Sequence, residues 1–510
     1  MMTTNSLTAT APAGNFTGRV DHDVMSWRGI RYALPPTGEQ RWRAPVPAPR
    51  AETDVYAVDF GPVCPQQQAA AVPLPPEATL SEDCLSLNVW APQEHAEPLP
   101  VMVWVHGGAY TFGSSSQPLY DATSLVTAGG IVVVTINYRL GGFGFVDLTS
   151  VLPDADNNLA LRDVLLALQW VQDNIAAFGG DPARVTVAGE SAGGGLVTTL
   201  LATPSASGLF HRAIAQSSPA SSVYGTDRSR AVAELFVQKL GVPQGDSAAL
   251  RAIPADQIVA AAMEVYSVVP ESDPGVLPFT PVIDGDLLPE SPDVVLREGR
   301  GIPVPLLIGT NKDEAALFKF MKSPLVPISE EGLDAMYANL HQDSPAMQLP
   351  SKEQILAAYE DVRYKYLGMG IARDLGFRMP TVWAVEGHST VAETFLYRFD
   401  YATPFFHLIK LGATHATELP YLWGNFSSGP KDPTFVLGGR RKGEAISRRM
   451  QQRWTSFVKG ERPDCVDGPD WQPYDQSGRA TLVISATDTV IEDLDAGLRA
   501  SWGEQVIGFH

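Results

Sequence analysis

The segment Gly189-Glu190-Ser191-Ala192-Gly193 joins an apolar run, residues 185–188, to a helical stretch over residues 194–201. Small residues on either side of a serine let a strand and a helix approach so closely that the turn between them is sharp and strained. The serine hydroxyl is pushed out above the sheet, at the N-terminus of a helix whose dipole favours negative charge. A chain with this junction must place a buried strand, a tight turn and a packed helix in succession, and the rest of the sequence repeats that alternation. Residues 101–106, 131–138, 304–310 and 393–399 are short Val/Ile/Leu/Phe-rich runs, as expected of buried strands. Between the second run and the serine, Leu161, Val164, Leu165, Leu168, Val171 and Ile175 fall on one face of a helix that Gly179, Gly180 and Pro182 end. Strand, crossover helix, strand predicts an α/β fold with a large, mostly parallel central sheet flanked by helices.

Other regions read differently. The first hundred residues, rich in Pro and turns, predict short antiparallel strands leading into the main sheet. Residues 1–15 read as a flexible tail, and residues 16–510 as a single domain. Residues 221–387 are mostly helical apart from the run at 304, and read as insertions roofing the sheet. The basic cluster Arg440, Arg441, Lys442 reads as a solvated loop.

Charge and cysteine content narrow the function. Lys+Arg 37 against Asp+Glu 57 gives a net charge of -20, which repels nucleic acid and anionic membrane surfaces. The strongest apolar run, residues 131–136, is far too short to span a bilayer, so no membrane insertion is expected. An odd set of cysteines, Cys64, Cys84 and Cys465, is no disulfide framework. The first twenty residues lack a basic stretch followed by an apolar one, and the expectation is a cytoplasmic enzyme.

A serine alcohol is a weak nucleophile and needs a base that a third group orients. In a strand–elbow–helix fold these follow the serine in the order acid, then histidine. The acid lies in Gly309-Thr310-Asn311-Lys312-Asp313-Glu314, after a strand, where sites collect in α/β sheets. Spacing leaves both Asp313 and Glu314 open. Of the histidines after Ser191 (His211, His341, His388, His407, His415 and His510), His415 stands in a Gly-containing loop, with His407 as its neighbour and competitor. The loop His106-Gly107-Gly108-Ala109 follows an earlier strand, and its backbone N–H groups, with that of Ala192, suit a developing oxyanion. No metal or organic cofactor is called for.

The sequence resembles type-B carboxylesterases, in the carboxylesterase/cholinesterase family of α/β hydrolases, and especially its bacterial p-nitrobenzyl-esterase-like members. Two long signatures carry the resemblance, one running from Phe178 through Ser191 to Gly193 and the other from Glu82 to Trp90. Shorter matches begin at Trp27, His106, Asn137 and His211. The resemblance implies an α/β-hydrolase fold and a Ser191–His415–Glu314 triad, with Asp313 structural. It implies oxyanion donors at Gly108, Ala109 and Ala192, carboxylates Glu190 and Glu418 near the histidine that hold water, and Ser217 supporting the acid. Arg139 with Asp163, and Arg41 with Glu82, match structural ion pairs. Leu277 and Phe279 match acyl-pocket positions, and Leu317 and Phe318, just beyond Glu314, are further pocket candidates. Cys64 and Cys84 match a pair that is disulfide-bonded in secreted relatives.

The chain departs from the family pattern at Ala315 and Ala416, where Gly is usual, so each adds a methyl near the triad. Choline-hydrolysing relatives carry a Trp between the two cysteines for cation–π binding; none stands there, which argues against acetylcholine. The expected activity is hydrolysis of a small-molecule ester, with short- to medium-chain or aryl groups, by a monomer or homodimer. Carbamate or amide hydrolysis with the same triad is the alternative, and a non-catalytic binding protein on the same fold is the remaining one.

Overall fold

The computed structural model describes residues 3–4, 7–243, 246–327, 329–343, 349–351, 354, 359, 367–426 and 432–508. Among them, eleven strands form one sheet. In chain order these are Arg19–Asp21 (β1), Val24–Arg31 (β2), Ser86–Pro92 (β3), Leu99–Val105 (β4), Val132–Ile136 (β5) and Gly180–Glu190 (β6). Arg212–Gln216 (β7), Leu306–Asn311 (β8), Thr394–Phe399 (β9), Thr481–Ile484 (β10) and Thr489–Ile491 (β11) complete it. Across the sheet the order is β11-β10-β9-β8-β7-β6-β4-β5-β3-β2-β1. The block from β10 to β5 is parallel throughout, and β1, β2, β3 and β11 add antiparallel edges. The fold is the expected α/β-hydrolase arrangement, a large mixed sheet flanked by helices.

Residue choice explains the layering. Every residue of β5 and β8 is buried, as continuous apolar runs covered on both faces must be. The helix Leu159–Asn174 (α1) buries Leu161, Val164, Leu168 and Val171 on one side of the sheet. The helix Ala192–Leu201 (α2), directly after the serine, is buried at all ten positions, so it is a core helix rather than an amphipathic one.

Topology places the site. The chain runs from β4 outward to β5, then returns through α1 to lay β6 on the other side of β4. Adjacent strands whose connections leave in opposite directions open a crevice at their carboxyl ends. The loop after β4 begins at His106, and the turn after β6 carries Ser191.

Two expectations are corrected. From Thr8 onward the N-terminal stretch is no flexible tail: Thr8–Ala11 and Gly14–Thr17 pair antiparallel, with Ala9, Ala11 and Phe16 buried. Ala13 N–H donates to Asn174 Oδ1 at 2.8 Å, and Trp27 Nε1–H to the Phe16 carbonyl at 3.1 Å, so apolar alternation and a buried indole hold the hairpin down. Residues 1, 2, 5 and 6 lie outside the described residues. The Arg440, Arg441, Lys442 cluster is exposed, but it forms the first turn of the helix Arg440–Lys459 rather than a loop.

The ion pairs do structural work. Arg139, after β5, donates Nε–H and NH2 to the two oxygens of Asp163 on α1 at 2.8 and 2.6 Å, and both side chains are buried. A bidentate pair with no access to water fixes the crossover helix to the strand it follows. Asp163→Asn, which leaves the guanidinium buried without its counter-charge, is expected to lower unfolding free energy by about 3–5 kcal/mol in urea denaturation.

Candidate active site

Ser191 stands at φ 58°, ψ −125°, outside the regions that L residues ordinarily occupy. Local packing enforces this. A Cβ on Gly189 would lie 2.5 Å from the Gly193 carbonyl carbon, and one on Gly107 would lie 3.0 Å from the Ser191 Cβ. Both ends of the turn are pinned, with Ser191 N–H donating to the Gln216 carbonyl of β7 at 2.9 Å and Gly195 N–H to the Ser191 carbonyl at 2.8 Å. The strain is held by sheet and helix together.

The hydroxyl so presented meets an imidazole. His415 Nε2 is 2.7 Å from Ser191 Oγ, and His415 Nδ1 is 2.6 Å from Glu314 Oε2. The other Glu314 oxygen accepts from Ser217 Oγ–H and from Asn311 N–H, each at 2.6 Å. Glu314 and Ser217 are wholly buried, and His415 nearly so. Geometry therefore separates the two acids that spacing left open. The Asp313 carboxylate instead accepts Ala413 N–H at 3.0 Å, while Asp313 N–H donates to the Ala413 carbonyl at 2.9 Å, clamping the loop that carries His415. His407 is exposed and lines a separate surface cavity. His510 lies outside the described residues.

Two further carboxylates sit close by. Glu190 Oε1 lies 3.3 Å from His415 Nε2 and has no hydrogen-bond partner of its own. Burial, reinforced by the charges of Glu418 and Glu314 against the relief offered by His415, pushes Glu190 up to about 8. For His415, burial alone would lower the pKa, but Glu190 and Glu314 outweigh it and raise the imidazole to about 9. Glu418 does not touch the histidine. Its oxygens accept from Gln216 Nε2 at 3.0 Å and Asn311 Nδ2 at 2.5 Å, and Trp454 Nε1–H holds Gln216 at 3.0 Å. Burial raises its pKa as well. Gln216 and Asn311 are the polar supports that the sequence did not single out; each ends a strand whose next residues carry site groups.

The loop after β4 turns back on itself, with Gly108 at φ 118° and Ala109 at φ 52°. Among the described hydrogen bonds, the N–H groups of Gly108, Ala109 and Ala192 donate to no protein acceptor. Ala109, Ala192 and Ser191 line one apolar cavity of about 630 Å³.

Of the four pocket candidates, Leu277 and Phe318 line that cavity. Phe279 and Leu317 do not. Phe279 is fully buried in the main core, and Leu317 presents its N–H to Thr414 Oγ1 at 2.7 Å. Proximity in sequence to a pocket residue does not survive the turn of a helix or the exit of a loop. Leu375, Gly376, Phe377 and Met336 also form the wall, and nothing in the sequence pattern marked them. The Phe318 and Phe377 rings flank His415, with centroids 5.2 and 4.9 Å from its own. Cys64 and Cys84 are buried free thiols beside each other; the hydrogen bond with Cys64, then burial, raises the Cys84 thiol well above its usual value.

Neither departure from the family glycines narrows the site, since Ala315 and Ala416 lie outside the cavity lining. Ala416 does adopt φ 63°, a left-handed conformation that disfavours a Cβ. Ala416→Gly is expected to raise the thermal midpoint, with a gain of up to about 1 kcal/mol once the added freedom of the unfolded glycine is subtracted.

Residues 5–500 match the sequence model of the Carboxylesterase family. The para-nitrobenzyl esterase of Bacillus subtilis (strain 168) is 36% identical over 494 residues, covering 96% of this chain and 97% of that protein. Carboxylesterase 1D of Rattus norvegicus is 32% identical, covering 94% and 89%. Among solved structures, a thermophilic PNB esterase superposes with a TM-score of 0.86 at 34% identity, covering 97% of this chain and 99% of that one. A Geobacillus stearothermophilus carboxylesterase at pH 6.2 gives 0.85 at 34% identity, covering 98% and 100%. The chain belongs to the carboxylesterase family, and the enzyme it forms hydrolyses carboxylic esters.

Proposed function

We propose that the enzyme cleaves short- to medium-chain and aryl esters by two-step acyl transfer through an acyl-enzyme on Ser191. The observation that carries this reading is the unbroken relay Ser191 Oγ–His415–Glu314, at 2.7 and 2.6 Å, opening into an apolar cavity of about 630 Å³. His415 Nε2 takes the Ser191 proton as Oγ attacks the ester carbonyl, and Glu314 holds the tautomer and balances the imidazolium. The oxyanion receives the free N–H groups of Gly108, Ala109 and Ala192, each such donor contributing about 3–4 kcal/mol. His415 then protonates the leaving alcohol, and in the second step it delivers water to the acyl carbon. Apolar walls and few polar anchors suit a small apolar ester and discriminate weakly between neighbouring chain lengths.

Every group in this scheme comes from one chain, so a monomer suffices and a homodimer is compatible. Among the described residues no helix is long and apolar enough to cross a membrane.

Hydrolysis of p-nitrophenyl acetate, butyrate and octanoate, beside a carbamate and an anilide, tests the proposal. Wild type should release p-nitrophenol with a chain-length dependence, and Ser191→Ala should lose at least about 10³-fold in kcat/KM. A folded wild type that hydrolyses no ester overturns it, and faster cleavage of carbamate or anilide than of every ester redirects it.

The pH profile tests the role of Glu190. His415 must be neutral to act as a base, so kcat/KM should rise as pH increases through its folded pKa of about 9. Glu190→Gln removes a charge that favours the imidazolium, which lowers that pKa. The acidic limb should therefore move to lower pH by roughly one unit. An unmoved limb would mean that Glu190 is already neutral throughout the working range.

A further inference from the structure

The wall of the active-site cavity contains a helical irregularity with an odd residue in it. Leu367–Arg373 and Met379–His388 are α-helical, and between them Asp374–Arg378 makes a π-helical turn. Such turns interrupt the regular ladder and persist where tertiary contacts hold them, often at functional sites.

Both ends of this turn are held by buried ionic groups. Asp374 accepts from the Tyr359 hydroxyl and from Arg373 Nε and NH2, the last two at 2.6 and 2.9 Å. Arg378 donates to both oxygens of Asp495, at 3.1 and 2.5 Å, and to Thr310 Oγ1 and the Tyr397 carbonyl, at 3.0 and 3.2 Å. Thr310 and Tyr397 belong to β8 and β9, so the turn is anchored to two interior strands of the sheet beside the triad. The intervening residues, Leu375, Gly376 and Phe377, face the cavity that Ser191 lines.

Gly376 has no structural reason to be glycine. Its backbone is not left-handed, and a Cβ built on it meets no heavy atom within 4 Å outside its own chain neighbours and helix. Glycine inside a helix is otherwise unfavourable compared with every residue but proline. Gly275, also in this wall, differs: its φ of 97° requires glycine. The glycines around the elbow differ too, because a Cβ on Gly189 or Gly194 would strike backbone. At position 376 the space a side chain would fill lies within reach of the cavity, so the group it would exclude is a ligand.

We propose that Gly376 is a specificity-determining residue: its missing side chain leaves the lobe of the cavity that receives the longer unbranched apolar chain of the ester. The proposal rests on the ester-hydrolase reading above and deepens it. The cavity lining that includes Leu375, Phe377 and Met336 is apolar, which matches an alkyl chain and offers a polar or charged group few partners. The π-turn aims this gap at the substrate, and its ionic pins keep the wall from closing over it.

The test compares Gly376→Leu and Gly376→Ala with wild type on two substrate series. One varies the acyl chain of p-nitrophenyl esters from acetate to dodecanoate; the other varies the alcohol of alkyl acetates from methyl to octyl. The readout is the ratio of kcat/KM for the long to the short member, which cancels differences in active enzyme. Gly376→Leu should lower that ratio at least about tenfold in one series, with Gly376→Ala intermediate at about threefold. The series affected identifies whether acyl or alcohol chain lies beside position 376. The p-nitrophenol burst and the thermal midpoint report folding, and the alanine variant carries the test if the leucine variant does not fold. Ratios unchanged in both series, or an equal loss on every substrate, overturn the proposal. Wild type inactive on all esters fails the functional reading itself, a result distinct from either.

Discussion

The backbone at Ser191 is the constraint on which the site depends. A φ of 58° with ψ −125° costs of the order of 1–3 kcal/mol for a residue with a Cβ, and nothing in the serine itself repays that. The conformation stands because the alternatives are blocked. Relaxing the turn would draw Ser191 N–H from the Gln216 carbonyl and move α2, which is buried at all ten positions. Small residues at 189 and 193 let β6, α2 and the loop after β4 meet within van der Waals contact, so Ser191, Ala109 and Ala192 share one cavity wall.

Around that turn the protein concentrates buried carboxyl groups. Glu190, Glu314 and Glu418 are all buried; the first two meet a single imidazole, and the third stands behind Gln216 and Asn311. They are not equivalent. Glu314 has both oxygens occupied by directed donors, and Glu418 is satisfied by the amides of Gln216 and Asn311. Glu190 Oε1 takes no protein donor and lies 3.3 Å from His415 Nε2. Burial raises the energy of the charged Glu190 carboxylate, and that charge in turn favours the protonated imidazole beside it. The two groups therefore titrate as a pair, and in the proposed mechanism the field of Glu190 is most favourable when His415 carries its proton.

What could be read from the sequence follows the range of the forces involved. The elbow was legible because its geometry is local: five residues between a strand and a helix leave few alternatives. Five of the seven parallel strands were legible because burial on both faces leaves continuous apolar runs; β7 and β10, short and mixed in composition, were not. The acid was legible only to within one residue, since Asp313 and Glu314 share a strand end and only the fold turns one toward Ala413 and the other toward Ser217 and His415. The hairpin at residues 8–17 was not legible as structure, because its strands are short and mostly of small or polar residues, and one anchor, Asn174, lies far away in sequence. Phe279 matched a pocket position, yet it packs into the core. The π-turn left no trace in hydrophobic period, because Arg378 reaching Asp495 and Asp374 reaching Tyr359 decide it.

The division between legible and illegible residues coincides with a division of labour. Ser191, Glu314, His415 and the oxyanion loop all follow the carboxyl ends of parallel strands, where the sheet fixes their positions to within a hydrogen bond. The apolar wall comes largely from elsewhere: Leu277 from a loop, Met336 from the helix Glu330–Asp343, and Leu375 to Phe377 from the π-turn. A substitution in the wall changes the shape of the cavity without moving the relay, because no hydrogen bond of the triad passes through it. Phe318 and Phe377 are the exceptions that join the two, since both rings lie against His415 and both line the cavity. The sheet thus holds the groups to which the proposed mechanism gives the bond making and breaking, and the helical roof shapes the cavity they open into, with the anchors of one short turn tying the second to the first.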